Sequence, residues 1–181
     1  MKNGYSIIEV LVSILIFSII VGTGMGVFVS AIKLQKYNLT HQQILEQASY
    51  AAEYMSRTIR MAQRDDGTCL SSNNLNYEIK NIPGLSGVQG LMFKDSENIC
   101  RAFFFEDDQI KEYEQGRSPE ILDLTSSSLE VLSLDFFLVG QSSADNDQPI
   151  TTFFIEIRGK GVGYQPRLKI QTSVSQRNLD I

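Results

Sequence analysis

Residues Met1–Lys33 run MKNGYSIIEVLVSILIFSIIVGTGMGVFVSAIK, a polar tetrapeptide followed by an almost unbroken apolar stretch. Val10 to Ile32 are 23 residues without a formal charge. As a helix they span about 35 Å, enough to cross a hydrocarbon core of about 30 Å. Glu9 interrupts the apolar character five residues after Gly4. An ionisable group in such a run is costly, and it points to a function and to a charge partner. A cut after Gly4 would create that partner, because Tyr5 would then carry a new amino group.

Lys2-Asn3-Gly4 followed by Tyr5-Ser6-Ile7-Ile8-Glu9-Val10 resembles the class III signal of type IV pilins and type II secretion pseudopilins. The shared pattern is a short basic leader, a Gly, an aromatic residue, a small polar residue, two aliphatics and the Glu. The resemblance implies cleavage between Gly4 and Tyr5 by a membrane prepilin peptidase and N-methylation of Tyr5. It also implies a role for Glu9 in assembly with other pilins or pseudopilins through their N-terminal helices. An inner-membrane platform driven by a cytoplasmic ATPase would extrude the subunits. Tyr5 stands where Phe is more usual, which bears on cleavage and methylation. The implied location is a single pass through the cytoplasmic (inner) membrane with an extracytoplasmic head, then a pilus or pseudopilus.

An ordinary secretory signal is the rival reading, with Val29-Ser30-Ala31 as its small-x-small cut site. The apolar core is too long for it, and an acid near its start gives a signal peptide nothing. A plain signal anchor fits the length but leaves Gly4 and Glu9 without a purpose. Lys2 lies on one side of the run and Lys33 and Lys36 on the other, so flanking charge does not set the orientation. Gly22, Gly24 and Gly26 alternate with larger residues. They suit close helix packing in a membrane or a segment able to unwind locally.

A chain of 181 residues suits one membrane arm and one soluble domain. Beyond Lys33 there are 14 basic and 20 acidic residues, a net of −6. That balance disfavours nucleic acid as a partner, since phosphate binding needs clustered cations.

After the arm, Ile44, Leu45, Ala48, Ala51, Ala52, Met55, Ile59 and Ala62 recur at steps of three and four, which predicts an amphipathic helix. Glu53 and Arg57 form an i,i+4 pair, and Arg57, Arg60 and Arg64 suit a helix C-terminus. The helix is expected to end at Asp65-Asp66-Gly67, with Asn38-Leu39-Thr40 as a candidate interruption. From residue 65 to about 97, turn signals such as Pro83-Gly84 and Ser86-Gly87 predict a long loop with one or two short strands. Cys69 lies in it and Cys100 in the next strand. A translocated domain allows a bridge between them, and two free buried thiols are the alternative.

The remainder alternates with period two. Leu132, Leu134, Phe136 and Leu138 share one face; so do Phe153, Ile155 and Ile157, and then Leu168, Ile170, Thr172 and Val174. Phe105–Ile110 holds a hairpin turn at Asp107-Asp108. The pattern predicts antiparallel sheet with one buried and one wet face, covered by the Ile44–Ala62 stripe. The fold class is therefore α+β, a long N-terminal helix packed on antiparallel sheet, which is also what the pilin resemblance implies. The segments are 1–4 (leader), 5–33 (transmembrane and assembly helix), 34–64 (amphipathic helix) and 65–181 (β head).

No catalytic set stands out. His41 is the only histidine, which excludes a multi-histidine metal site. Asp145-Asn146-Asp147 falls short of the oxygen ligands calcium needs and reads as a solvated turn, with calcium as the alternative. No phosphate-binding loop is present: Gly159-Lys160-Gly161-Val162-Gly163 follows a strand but opens no helix. The expectation is a structural subunit without catalytic activity or cofactor, resembling a minor pilin or a J-type minor pseudopilin. A bitopic membrane-anchored binding domain, or a tip adhesin or DNA-uptake subunit, are the alternatives. Pilus, secretion and competence machines are not separated at this level.

Overall fold

Ser6 opens the long helix α1 (Ile7–Arg60). Its carbonyl accepts hydrogen bonds from the N–H groups of Glu9 (3.0 Å) and Val10 (3.3 Å). Ser6 therefore stands at the N-cap and Glu9 at the third helical position, the spacing of a capping box, with the acid at the positive end of the helix dipole. The computed structural model describes residues 6–142, 147–160 and 165–177. The chain divides into two compact units, Met1–Thr40 and His41–Ile181.

In the first unit, residues 6–36 are all exposed. The helix is unbroken through Gly22, Gly24 and Gly26 and through Asn38-Leu39-Thr40. The Thr40 hydroxyl donates to the Lys36 carbonyl at 3.1 Å, so its polar group is satisfied within the helix rather than competing with it.

In the second unit, Ile44, Ala48, Ala51, Ala52, Met55 and Ile59 are buried, as their spacing predicts, whereas Leu45, expected on the same face, is exposed. They pack against two antiparallel sheets. The first orders β1 (Tyr77–Asn81), β2 (Gln89–Lys94), β3 (Cys100–Glu106), β4 (Gln109–Glu114) and β5 (Ile121–Asp123) in sequence. The second orders β6 (Leu129–Val139), β7 (Ile150–Gly159) and β8 (Arg167–Ser175). One core joins the helix stripe to Tyr77, Leu91, Phe93 and Phe103 of the first sheet and to Val131, Phe153, Ile155 and Val174 of the second. The fold is α+β, a long apolar helix with antiparallel sheet packed on it.

The helix stops at Arg60, four residues before Arg64. Beyond it the chain joins the sheet, where the Gln63 N–H donates to the Lys94 carbonyl at 2.8 Å. Asp65 is buried and organises the next turn, accepting from the N–H groups of Gly67 (3.0 Å) and Leu70 (2.8 Å). The helix-end carbonyls are met by the C-terminal segment. The Gln176 side-chain amide donates to the Ala62 carbonyl at 2.8 Å, and the Arg177 N–H to the Arg60 carbonyl at 2.9 Å, which satisfies groups that a helix end leaves open.

Two features depart from a single half-wet sheet. First, β2 and β3 are buried on both faces. A second core of Cys69, Leu70, Ile82, Met92, Cys100, Ala102, Phe104 and Tyr113 lies apart from the helix-facing one. The runs Leu91-Met92-Phe93 and Ala102-Phe103-Phe104 are the sequence of strands covered on both sides. Second, β6 carries an irregularity between Val131 and Ser133. Leu129 and Val131 are buried before it, and Leu134, Phe136 and Leu138 pack on the core after it, so Leu132 sits at the shift rather than in an unbroken row.

Gly90 marks the tightest approach in this double-faced sheet. A Cβ there would lie 2.7 Å from the Phe104 Cβ and 2.9 Å from the Ile82 Cδ1, besides meeting the Phe103 carbonyl. Gly90→Ala is expected to destabilise the protein by about 1–3 kcal/mol through overpacking. Denaturant unfolding of the solubilised full chain, read by tyrosine fluorescence, measures it.

Candidate functional site

The arm turns apolar side chains outward, and Glu9 is the one ionisable side chain exposed between Ile7 and Ile32. Along it the hydroxyls of Ser13, Ser18, Thr23 and Ser30 donate to the carbonyls of Glu9, Ile14, Ile19 and Gly26, at 2.8, 2.8, 3.0 and 3.0 Å. Each polar side chain is thus satisfied within the helix, which a hydrocarbon environment requires. Ile7, Phe17 and Val27 are 81, 67 and 71 % exposed. This helix is long and apolar enough to cross a membrane, and none of its most apolar window is buried within the chain.

Glu9 lies in the first turn. Gly4 and Tyr5, the expected cleavage and methylation residues, lie outside the described residues. A Cβ on Gly22, Gly24 or Gly26 would meet nothing within 4 Å, so no contact inside the subunit demands glycine there.

In the head, Cys69 and Cys100 form a disulfide with Cα atoms 5.4 Å apart. Both are buried in the second core, where the bridge joins the loop after α1 to β3. Asp145 and Asn146 lie outside the described residues. Among the described residues no group of three or more His, Cys, Asp or Glu side chains is placed to hold a metal ion.

An ionic cluster that the sequence did not announce is centred on Arg101 of β3. Its guanidinium meets Asp95 at 2.7 Å, Glu112 at 3.1 Å and Glu114 at 3.4 Å. Burial opposes the charge, but the hydrogen bond to Asp95 and the Glu114 and Glu112 carboxylates outweigh it and hold the guanidinium above its usual range. The Tyr54 phenol donates to Glu112 at 2.9 Å, which couples α1 to the cluster. Its pKa is pushed up to about 12 by burial and then by the Glu112 hydrogen bond and charge. The cluster reads as an anchor between helix and sheet. Register is the only signal that could have found it: Arg101 pairs directly with Glu114 across β3 and β4, and opposite charges across strands favour that register.

Residues 1–25 match a family model described as the prokaryotic N-terminal methylation motif. This is the class III signal of type IV pilins, and over these residues the chain is type IV pilin-like. No curated protein and no solved structure matches the chain. The match covers the arm alone, and in kind it marks a membrane-anchored structural subunit.

Proposed function

We propose that the chain is a minor pilin or a J-type minor pseudopilin, cut after Gly4, methylated on the Tyr5 amine and assembled into, or priming, an extracytoplasmic filament. The segments follow from that: a leader at 1–4, an assembly helix at 5–33, an amphipathic helix at 34–64 and a head at 65–181. The supporting observation is the arm itself. A helix that carries a methylation motif, buries none of its apolar window and satisfies its own hydroxyls is suited first to lipid and then to a bundle of like helices.

The energetics fit a reversible store. In the membrane the arm is already out of water, so bundling gains mainly from packing rather than from the hydrophobic effect. Small residues at Gly22, Gly24 and Gly26 would allow helices to approach closely. Glu9 supplies register: desolvated in a bundle, its carboxylate needs a cation, and the Tyr5 amine of a neighbouring subunit is the nearest one available. An inward-facing Glu9 also disfavours the outermost tip position, where no subunit lies above to complete the pair. On this reading the head stands outside the cytoplasmic membrane, where a disulfide can persist.

Intact-mass measurement of protein extracted from membranes tests the proposal. The expected mass is that of a chain beginning at Tyr5 and carrying one methyl group, and Gly4→Val should leave the chain uncut. A mature chain beginning at Ile32 would establish an ordinary secretory signal instead. An uncut wild-type chain would favour a simple membrane anchor.

A further inference from the structure

The second unit carries an open groove of ≈ 900 Å³ between the outer face of α1 and the segment leading from β5 into β6. One wall is Gln43, Glu46, Gln47 and Tyr50 of α1; the other runs from Asp123 to Ser128, with Gln109 of β4 beside it. Of its lining, Leu124 also packs on the helix-facing core.

Its walls are held in place. The Ser126 N–H donates to the Gln47 side-chain carbonyl at 2.9 Å, and the Gln109 side-chain amide donates to the Thr125 carbonyl at 2.6 Å. Thr125 is itself buried, and its hydroxyl accepts the Ile110 N–H at 3.0 Å. Each glutamine therefore spends one end on the scaffold and turns the other half of its amide to use: an NH₂ donor on Gln47 and a carbonyl acceptor on Gln109. A groove fixed in this way loses little ordering entropy when a ligand enters.

Its chemistry selects a class of ligand. Tyr50 is 59 % exposed, and its ring stacks on Tyr54 with centroids 6.1 Å apart, which presents a supported aromatic face to solvent. Glu46 and Asp123 are acceptors able to take paired hydroxyl donors, and the Ser127 and Ser128 hydroxyls both donate and accept. No Lys, Arg or His lines the groove among the described residues. An anionic ligand would meet two carboxylates and no cation, and a cationic one would gain little from Glu46 and Asp123, which are exposed to solvent and screened. A largely apolar ligand would strand the amides. What suits an aromatic platform ringed by amides, hydroxyls and carboxylates is a polyhydroxylated, uncharged molecule.

We propose that this groove binds a neutral carbohydrate, with a sugar ring lying on Tyr50 and its hydroxyls bridged by Gln47, Gln109, Glu46 and Asp123. The site goes beyond the filament reading and does not depend on it, since every residue in it belongs to the second unit, His41–Ile181.

The test uses the full chain in lipid nanodiscs, because maltoside and glucoside detergents are themselves sugars. Lactose, cellobiose and N,N′-diacetylchitobiose serve as neutral probes and sulfated lactose as the anionic one. Binding is read by saturation-transfer NMR and titration calorimetry. At least one neutral disaccharide should bind with Kd below about 5 mM, and Tyr50→Ala should weaken it about tenfold or more. Tyr50→Phe keeps the platform and should stay within about threefold of wild type. Circular dichroism of both variants checks the fold. The proposal is overturned if no neutral probe binds, if sulfated lactose binds as tightly, or if Tyr50→Ala leaves affinity unchanged. Protection of Tyr50 by a neighbouring subunit's polar peptide, with no sugar displacing it, would overturn it equally. None of these outcomes bears on whether the chain is cut after Gly4, so the two readings fail separately.

Discussion

A Glu9→Ala chain is expected to be cut and methylated as efficiently as the wild type, and to be at least about a hundredfold depleted from sheared filaments or detergent-extracted pilin complexes. Glu9 lies five residues beyond the proposed cut and far in sequence from the head, so leader removal and the two sheets should be untouched. Breaking a buried ion pair by removing one partner costs about 3–5 kcal/mol, and each 1.4 kcal/mol is about tenfold in an equilibrium. The structure supplies a competing local role that the experiment must separate. With Ser6 at the N-cap, Glu9 at the third helical position can complete a capping box and sits well for the helix dipole, effects worth about 0.3–1 kcal/mol. Glu9→Gln keeps the capping geometry and removes the charge. If Gln fails as Ala does, the carboxylate charge is what assembly needs. If Gln restores incorporation, Glu9 serves the helix terminus and the pairing with the Tyr5 amine is wrong.

The arm was legible because a membrane helix is written in runs: 23 uncharged residues and one misplaced acid say most of what the structure shows there. The amphipathic stripe from Ile44 to Ile59 and the alternation in β7 and β8 were equally plain, since one buried face imposes one period. The first sheet was harder. Its strands β2 and β3 are covered on both faces, so alternation disappears, and Gln89–Lys94 sits among Gly, Ser and Pro residues that read as loop. The break in β6 was hidden for a related reason. Leu132 is apolar whether it lies in the row or at the shift, so hydropathy alone places it with Leu134. The helix end moved from Arg64 to Arg60 because a tertiary bond, Gln63 to Lys94, outcompetes another turn. The groove and the Arg101 cluster gather residues from α1, β3, β4 and the β5–β6 connection, which are far apart along the chain. No local pattern brings Tyr50 to Ser126 or Tyr54 to Glu112; Ser6-x-x-Glu9 was a local signal left unread.

Cys100→Ser is expected to lower the stability of the full chain by about 3.7 kcal/mol, with a fall in Tm of about 7–15 °C. The bridge spans a sequence separation of 31, and removing it returns to the unfolded chain the freedom that a closed loop of that length denies. The native state has its own reason to suffer. Cys69 and Cys100 are 4 % and 7 % exposed and pack with Leu70, Ile82, Met92 and Phe104 in the second core. A serine hydroxyl there is polar and buried, and an unmatched thiol faces it. Cys69→Ala with Cys100→Ala separates the two contributions, because it removes the cross-link without leaving a lone thiol or a buried hydroxyl. The double variant should retain most of the loss if the link itself matters, and little of it if the serine does. The first core should survive in either case, since the stripe from Ile44 to Ile59 and the second sheet make no contact through the bridge. Hydrogen exchange should therefore loosen first around Asp65–Asn76 and leave α1 and β7 protected. Equal loss of protection in both cores would show that the head unfolds as one unit and that the bridge staples all of it. Quantitative alkylation of both thiols in unreduced protein from the cell envelope would remove the premise.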